Sequence, residues 1–125
     1  MWVYYNPSPN GARVGDCAVR ALCKALKKPW EIIYIQLMAK GLQMYDMPSS
    51  NAVWGAVLRD HGFTRQTVPN TCPQCYTLKD FCRDNPQGLY VVNTGGHVVT
   101  CKDGDYFDTW DSGNENPIFF YLKEA

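Results

Sequence analysis

The chain has 125 residues, enough for one domain around one core and too few for two. It is 46% hydrophobic and 14% aromatic, far from the composition of a disordered chain. Its 12 basic and 12 acidic side chains cancel, which removes the electrostatic footprint of a nucleic-acid-binding or membrane-surface protein. No apolar run reaches the length of a membrane-spanning helix.

Met1 to Pro7 lacks a basic stretch followed by an apolar one and so does not read as a signal peptide. A cytoplasmic location is expected, with the 6 cysteines mostly reduced. Met1 to Tyr5 reads as a short aromatic strand of the sheet. Asn6 to Gly15, with its prolines and glycines, must be an irregular loop leading to Cys17.

Asp16 has the chemistry of a helix N-cap, and Cys17 then takes the first helical position, with Val19, Leu22, Cys23 and Leu26 following at helical spacing. A thiol there sits at the positive end of the helix dipole, which favours the nucleophilic thiolate. The helix runs to about Lys27. Arg20, one turn along from Asp16 and Cys17, has Asp16 or a substrate carboxylate as candidate partners, a simple surface or structural ion pair being the commoner outcome. Asn10 is the candidate side-chain donor of an oxyanion hole, with Asn6 behind it and the Cys17 backbone N–H as the second donor; both asparagines also suit plain turns.

Pro29 opens a second helix carrying Trp30, Ile33, Tyr34, Leu37 and Met38 as core and stopping at Gly41. The connector from Leu42 to Pro48 holds Met44, Tyr45 and Met47, which fill core gaps or line a substrate groove. Ser49 or Ser50 caps a third helix with Val53, Trp54, Val57 and Leu58, ending at His61-Gly62, where His61 has a last-turn structural role. Phe63 to Val68 is a strand.

Cys72-x-x-Cys75 follows. It is either a pair in a tight turn or, with Cys82, part of a zinc site; a redox disulfide of the thioredoxin type lacks the βαβ pattern around it. Thr77 caps a short fourth helix through Asp84, closed by Asn85-Pro86.

The rest is β: Leu89 to Asn93, His97 to Lys102, Asp105 to Trp110, and Ile118 to Leu122 after a polar loop. Helices first and a sheet after them give an α+β fold, with N-terminal helices packed on a C-terminal antiparallel sheet. Asp103-Gly104 is the favoured centre of a two-residue hairpin turn. Lys102 then faces Asp105, Val99 faces Asp108 and His97 faces Trp110, so that His97 and Asp108 become diagonal neighbours on one face. A carboxylate there holds the imidazole in one tautomer and frees its other nitrogen for a cysteine. Asp111, the fallback orienting residue, points to the opposite face. Gly95-Gly96 before His97 allows close approach of backbone or substrate.

Gly15-Asp16-Cys17-Ala18-Val19-Arg20-Ala21-Leu22, Gly96-His97-Val98-Val99 and Tyr106-Phe107-Asp108-Thr109-Trp110-Asp111-Ser112 resemble the small papain-like cysteine peptidases of bacteriophages and bacteria. The resemblance implies a central Cys-bearing helix against a sheet that carries the histidine. It implies Cys17 as nucleophile, His97 as general base and acid, and Asp108 as orienting carboxylate. The Gln of the larger papains, six residues before the cysteine, is replaced by Gly11. The expected activity is amide or peptide hydrolysis through a thioester, on a protein or peptide substrate and without a cofactor. The protein would act as a monomer or small homo-oligomer in a bacterial or phage-infected cell. Specificity could involve Tyr45, Trp54 and Trp110, all of which also suit a core. The other expectations are a catalytically silent papain-like module that binds or inhibits a host protein, and a zinc-binding interaction domain on Cys72, Cys75 and Cys82.

Overall fold

The computed structural model describes residues 1–68 and 75–123. In chain order the elements are β1 (Trp2–Tyr4), α1 (Cys17–Leu26), α2 (Trp30–Met44), α3 (Asn51–Asp60), β2 (Phe63–Thr67), α4 (Leu78–Asp84), β3 (Leu89–Asn93), β4 (Val98–Lys102), β5 (Asp105–Asp108) and β6 (Phe119–Lys123). The strands form one sheet in the order β1-β5-β4-β3-β6-β2. The fold is α+β, as the order of the elements predicts, but the sheet is mixed rather than antiparallel. β1 lies parallel to β5 at one edge, Trp2 opposite Tyr106 and Tyr4 opposite Asp108, while the other pairs are antiparallel. A chain that pairs its first strand with one a hundred residues later is free of the hairpin constraint that forces antiparallel pairing.

Successive side chains of a strand point to opposite faces, and the sheet uses both. Val91 and Phe119 pack under α1, α2 and α3 with Leu22, Ile33, Leu37, Trp54 and Leu58. Their neighbours Val92, Val99, Cys101 and Tyr106 pack against Leu78, Phe81 and Cys82 of α4. α1 turns Ala18, Ala21 and Ala25 to the interior, good helix formers that are small enough to let it lie close on β4. The buried Thr100 hydroxyl of β4 donates to the Ala21 carbonyl at 2.6 Å, fixing the helix on the strand.

Several predicted boundaries move for identifiable reasons. α2 does not stop at Gly41 but runs to Met44 and closes on Tyr45 in the left-handed conformation. Gly41 serves close packing instead, since a Cβ there would come within 2.8 Å of the Asp46 carbonyl. Tyr34 and Met38 of α2 are not core: both are exposed. Ser50, rather than Ser49, caps α3 by accepting from the Val53 N–H, and His61 closes that helix with Nδ1 2.9 Å from the Val57 carbonyl. Thr77 and Asp80 form a reciprocal capping box on α4.

The β4–β5 turn is as predicted. Asp103 (φ 50°) and Gly104 (φ 87°) occupy its centre, and Lys102 faces Asp105, Cys101 faces Tyr106 and Thr100 faces Phe107. β5 ends at Asp108 rather than Trp110, because the Asp108 carboxylate takes the next backbone N–H, that of Thr109, at 2.8 Å and turns the chain out of the ladder. His97 likewise stands just before β4 begins. Both residues therefore sit at one end of the sheet, level with the start of α1.

Candidate active site

At this end of the sheet Cys17, His97 and Asp108 meet. His97 Nε2 donates to Asp108 Oδ2 at 2.5 Å, the diagonal contact that the hairpin register predicts. The His97 ring also interacts with the Cys17 thiol, and with Nε2 engaged, Nδ1 is the nitrogen left for sulfur. Trp110 packs its ring against His97, 5.1 Å between centroids and tilted by 44°.

The electrostatics of the three groups are linked. Burial pushes the Cys17 thiol up, but the His97 hydrogen bond, the Val98 backbone N–H and the charges of His97 and Arg20 outweigh it, leaving the thiol below its ordinary value. Burial also works against a charged His97, yet Asp108 and Cys17 raise it to about 9. Burial would raise Asp108 too, and the bonds from His97 and Ser112 with the charges of His97 and Arg20 hold it below the usual carboxylate range. All three shifts favour a thiolate beside an imidazolium, the reactive form of a cysteine–histidine pair.

Asp108 is fully buried, and a buried carboxylate needs partners on both oxygens. Oδ1 accepts from Arg20 Nη2 at 3.0 Å and from the Thr109 N–H, and Oδ2 accepts from His97 and, at 2.7 Å, from the Ser112 hydroxyl. Arg20, itself 5% exposed, uses its other nitrogen on Asp16 Oδ1 at 2.6 Å. Asp16 Oδ2 accepts from the Trp30 indole at 3.0 Å. A continuous chain thus runs Trp30–Asp16–Arg20–Asp108–His97–Cys17, buried at Asp16, Arg20 and Asp108 and half-buried at its ends. It overturns the expectation that Asp16 caps α1: no side-chain cap bond forms, because both its oxygens are spent on Arg20 and Trp30.

Asn10 and Asn6 are not brought to the thiol. Asn10 Oδ1 accepts from the Ser8 hydroxyl and the Ala12 N–H, and Asn6 ties its own loop through Gly11, Ala12 and Ser8. Both are turn formers here, and Asn10 faces a neighbouring hollow beside Trp30 and Glu31. Asp111 lies beyond the end of β5, outside the regular pairing, and accepts from the Tyr106 hydroxyl at 2.5 Å and the Gly113 N–H rather than meeting His97. Of the other aromatics, Trp54 is core and Tyr45 is almost fully exposed.

A cavity of about 440 Å³ opens beside Cys17, bounded by Val14, Val19, Trp30, Tyr34, Leu37 and Met47, in the size range of ligand pockets. Of the connector residues, Met47 is one of its walls, whereas Met44 and Tyr45 are exposed and do not line it. The motif Cys72-x-x-Cys75 falls partly on Cys72, outside the described residues. Its third proposed member, Cys82, is buried and engages Cys101. Among the described residues no group of three His, Cys, Asp or Glu side chains is placed to hold a metal ion, and no helix is long and apolar enough to cross a membrane.

Asp16, one turn before Arg20, was one of the partners the sequence offered for it, and the two do pair. Sequence reasoning missed the Arg20–Asp108 bond, which joins residues 88 apart, and the Trp30 indole bond, since an apolar residue at a core-facing position gives no polar signal. Ser112 lay within the quoted downstream motif, four residues after Asp108, and that spacing was the one available clue. Comparison of the chain with protein-family models, with curated proteins and with solved structures finds no match.

Proposed function

We propose that the protein is a papain-like cysteine peptidase or closely related thiol amide hydrolase, acting on a protein or peptide substrate. One observation carries the reading: a cysteine with lowered pKa at a helix start lies against a histidine raised to about 9 by a buried carboxylate. In this scheme the Cys17 thiolate attacks the substrate carbonyl carbon, and the carbonyl electrons move onto its oxygen. As the tetrahedral intermediate collapses, the C–N bond breaks and the His97 imidazolium gives its proton to the leaving amine, leaving a thioester on Cys17. Water then attacks the thioester with His97 taking its proton. The acid leaves, and Cys17 and His97 return to their starting forms.

Asp108 keeps Nδ1 of His97 directed at sulfur and stabilises the imidazolium, while Arg20 and Ser112 hold Asp108. The developing oxyanion is received by backbone N–H groups at the start of α1, Cys17 first. These are the orphan donors of a helix N-terminus, and the Asp16 side chain leaves them uncapped.

The test is site-resolved alkylation by iodoacetamide at mildly acidic pH, where an ordinary cysteine with a pKa of about 8.5 is mostly protonated. Cys17 should react well ahead of Cys23, Cys82 and Cys101, the other free thiols among the described residues, and lose that advantage in His97→Ala. Equal rates for Cys17 in the two proteins would sink the reading.

A further inference from the structure

α2 is unusual in being apolar on more than its buried side. Ile33, Leu37 and Gly41 face the interior, yet Tyr34, Ile35, Met38 and Leu42 are exposed, from 44% at Tyr34 and Met38 to 76% at Leu42. On a helix, residues four apart are neighbours, so Tyr34, Met38 and Leu42 make one row along α2, with Ile35 beside it. The row begins at the cavity, because Tyr34 is also a wall of the space next to Cys17. Met47, exposed on the connector after α2, is another. Cavity and row are therefore one continuous apolar surface, a few turns of helix long, that leads to the thiol.

Among the described residues, no free charge lines the cavity. The carboxylate bordering the cavity is Asp16, whose two oxygens are already spent on Arg20 and Trp30. Lys40 of α2 is drawn to Asp60 at 2.7 Å. A charged side chain entering the cavity would lose its water and find no free partner, whereas a large neutral one would bury apolar area at no such cost.

We propose that this surface is the substrate-recognition site, and that it takes a polypeptide segment of large, neutral, apolar side chains, one seated in the cavity beside Cys17 and those further along the segment lying on the Tyr34–Met38–Leu42 row. The occupant is the substrate rather than a second copy of the chain because the row is continuous with the cavity in which Cys17 stands. The proposal rests on Cys17 being the nucleophile, as argued above. It goes further in assigning the substrate class and an extended binding surface.

The experiment compares three alkylating reagents on the intact protein. Iodoacetamide reads the Cys–His pair alone. Two peptidyl fluoromethyl ketones of equal length, one built from Leu and Phe and the other from Asp and Ser, read recognition. The Leu/Phe ketone should label Cys17 at least about tenfold faster than the Asp/Ser ketone, the discrimination expected from burying one or two large side chains. In Met38→Glu and Leu42→Glu, separately, the ratio of its rate to that of iodoacetamide should fall about tenfold. Tyr34→Ala, which adds no charge, should lower the same ratio.

If iodoacetamide is not selective for Cys17, the catalytic reading itself fails. If iodoacetamide is selective but the two ketones react alike, or the row variants leave the ratio unchanged, the catalytic reading stands and the recognition surface is overturned. A dimer that becomes monomeric in Leu42→Glu with the ratio unchanged overturns it in favour of self-association.

Discussion

Two regions of this molecule hold buried or half-buried thiols and treat them in opposite ways. At the end of the sheet, Cys17 is drawn below its ordinary pKa by His97, the Val98 N–H and Arg20, against the opposing effect of burial. Inside the α4 layer, the Cys82 thiol and burial push Cys101 far above it. Cys23, on the same helix as Cys17 but turned to the core, is raised by burial to about 12. Residue type is constant across the three, so surroundings decide. A thiol becomes a nucleophile where cationic and N–H groups converge on it, and stays an inert apolar filler where they do not.

The largest break in that contrast is removal of His97. In His97→Ala the imidazolium is gone and Cys17 should lose its head start over Cys23 and Cys101 in alkylation at mildly acidic pH. Turnover of any substrate found should fall by about a thousandfold or more, as for loss of a member of a catalytic unit. Circular dichroism should show the variant folded, since His97 stands outside the regular strands.

Removing Arg20 attacks the same region through stability. Arg20→Met leaves Asp16 and Asp108 buried without their shared cation, and breaking a buried pair in this way costs about 3–5 kcal/mol. Urea unfolding should show the loss. Asp108→Asn should be milder in stability but should lower the His97 pKa, because the largest favourable influence on the imidazolium is the bond to that carboxylate.

The sequence carried more of the site than of its support. His97 and Asp108 were legible because Asp103-Gly104 sets the hairpin register, and register alone decides which residues become diagonal neighbours. Cys17 was legible because a helix start has a local signature. Arg20 joining Asp16 to Asp108 was not, since that bond depends on how α1 is laid across the sheet, a packing outcome with no local pattern. The same holds for the exposed row of α2. Periodicity marks Tyr34 and Met38 as apolar helix positions, but whether such a position meets a core or solvent is decided by what the rest of the chain covers. The parallel β1–β5 pairing, too, is a long-range choice that the aromatic run at the N-terminus does not encode.

The pH profile sharpens the contrast between thiolate and imidazolium. Folding raises His97 from 6.5 to about 9, so its contribution to stability is fully present below 6.5 and is lost as pH rises through about 9. Asp108 is lowered, so its contribution is present above its unfolded value and is lost as pH falls through the folded one. Above pH 9 the imidazole has no proton for a leaving amine, while sulfur remains a thiolate. Turnover should therefore decline there, with alkylation of Cys17 holding. A parallel decline in both would mean that His97 does not serve as the acid. In Asp108→Asn the alkaline limb of turnover should move to lower pH.

The smallest expected effect comes from the other region and tests whether the two are independent. Cys101→Val keeps a buried apolar side chain of similar volume and removes the thiol that faces Cys82. Volume-conserving core swaps cost less than about 1.5 kcal/mol, so thermal unfolding should shift by only a few degrees. Cys101 lies in the layer on the opposite face from the α1 core, and none of the groups that lower the Cys17 pKa belongs to that layer. The rate of Cys17 alkylation should therefore match that of the parent protein. A slower rate would mean that packing under α4 helps to set the β4–β5 hairpin, and with it the His97–Asp108 bond. The acidity of Cys17 would then be a property of the whole sheet rather than of its end.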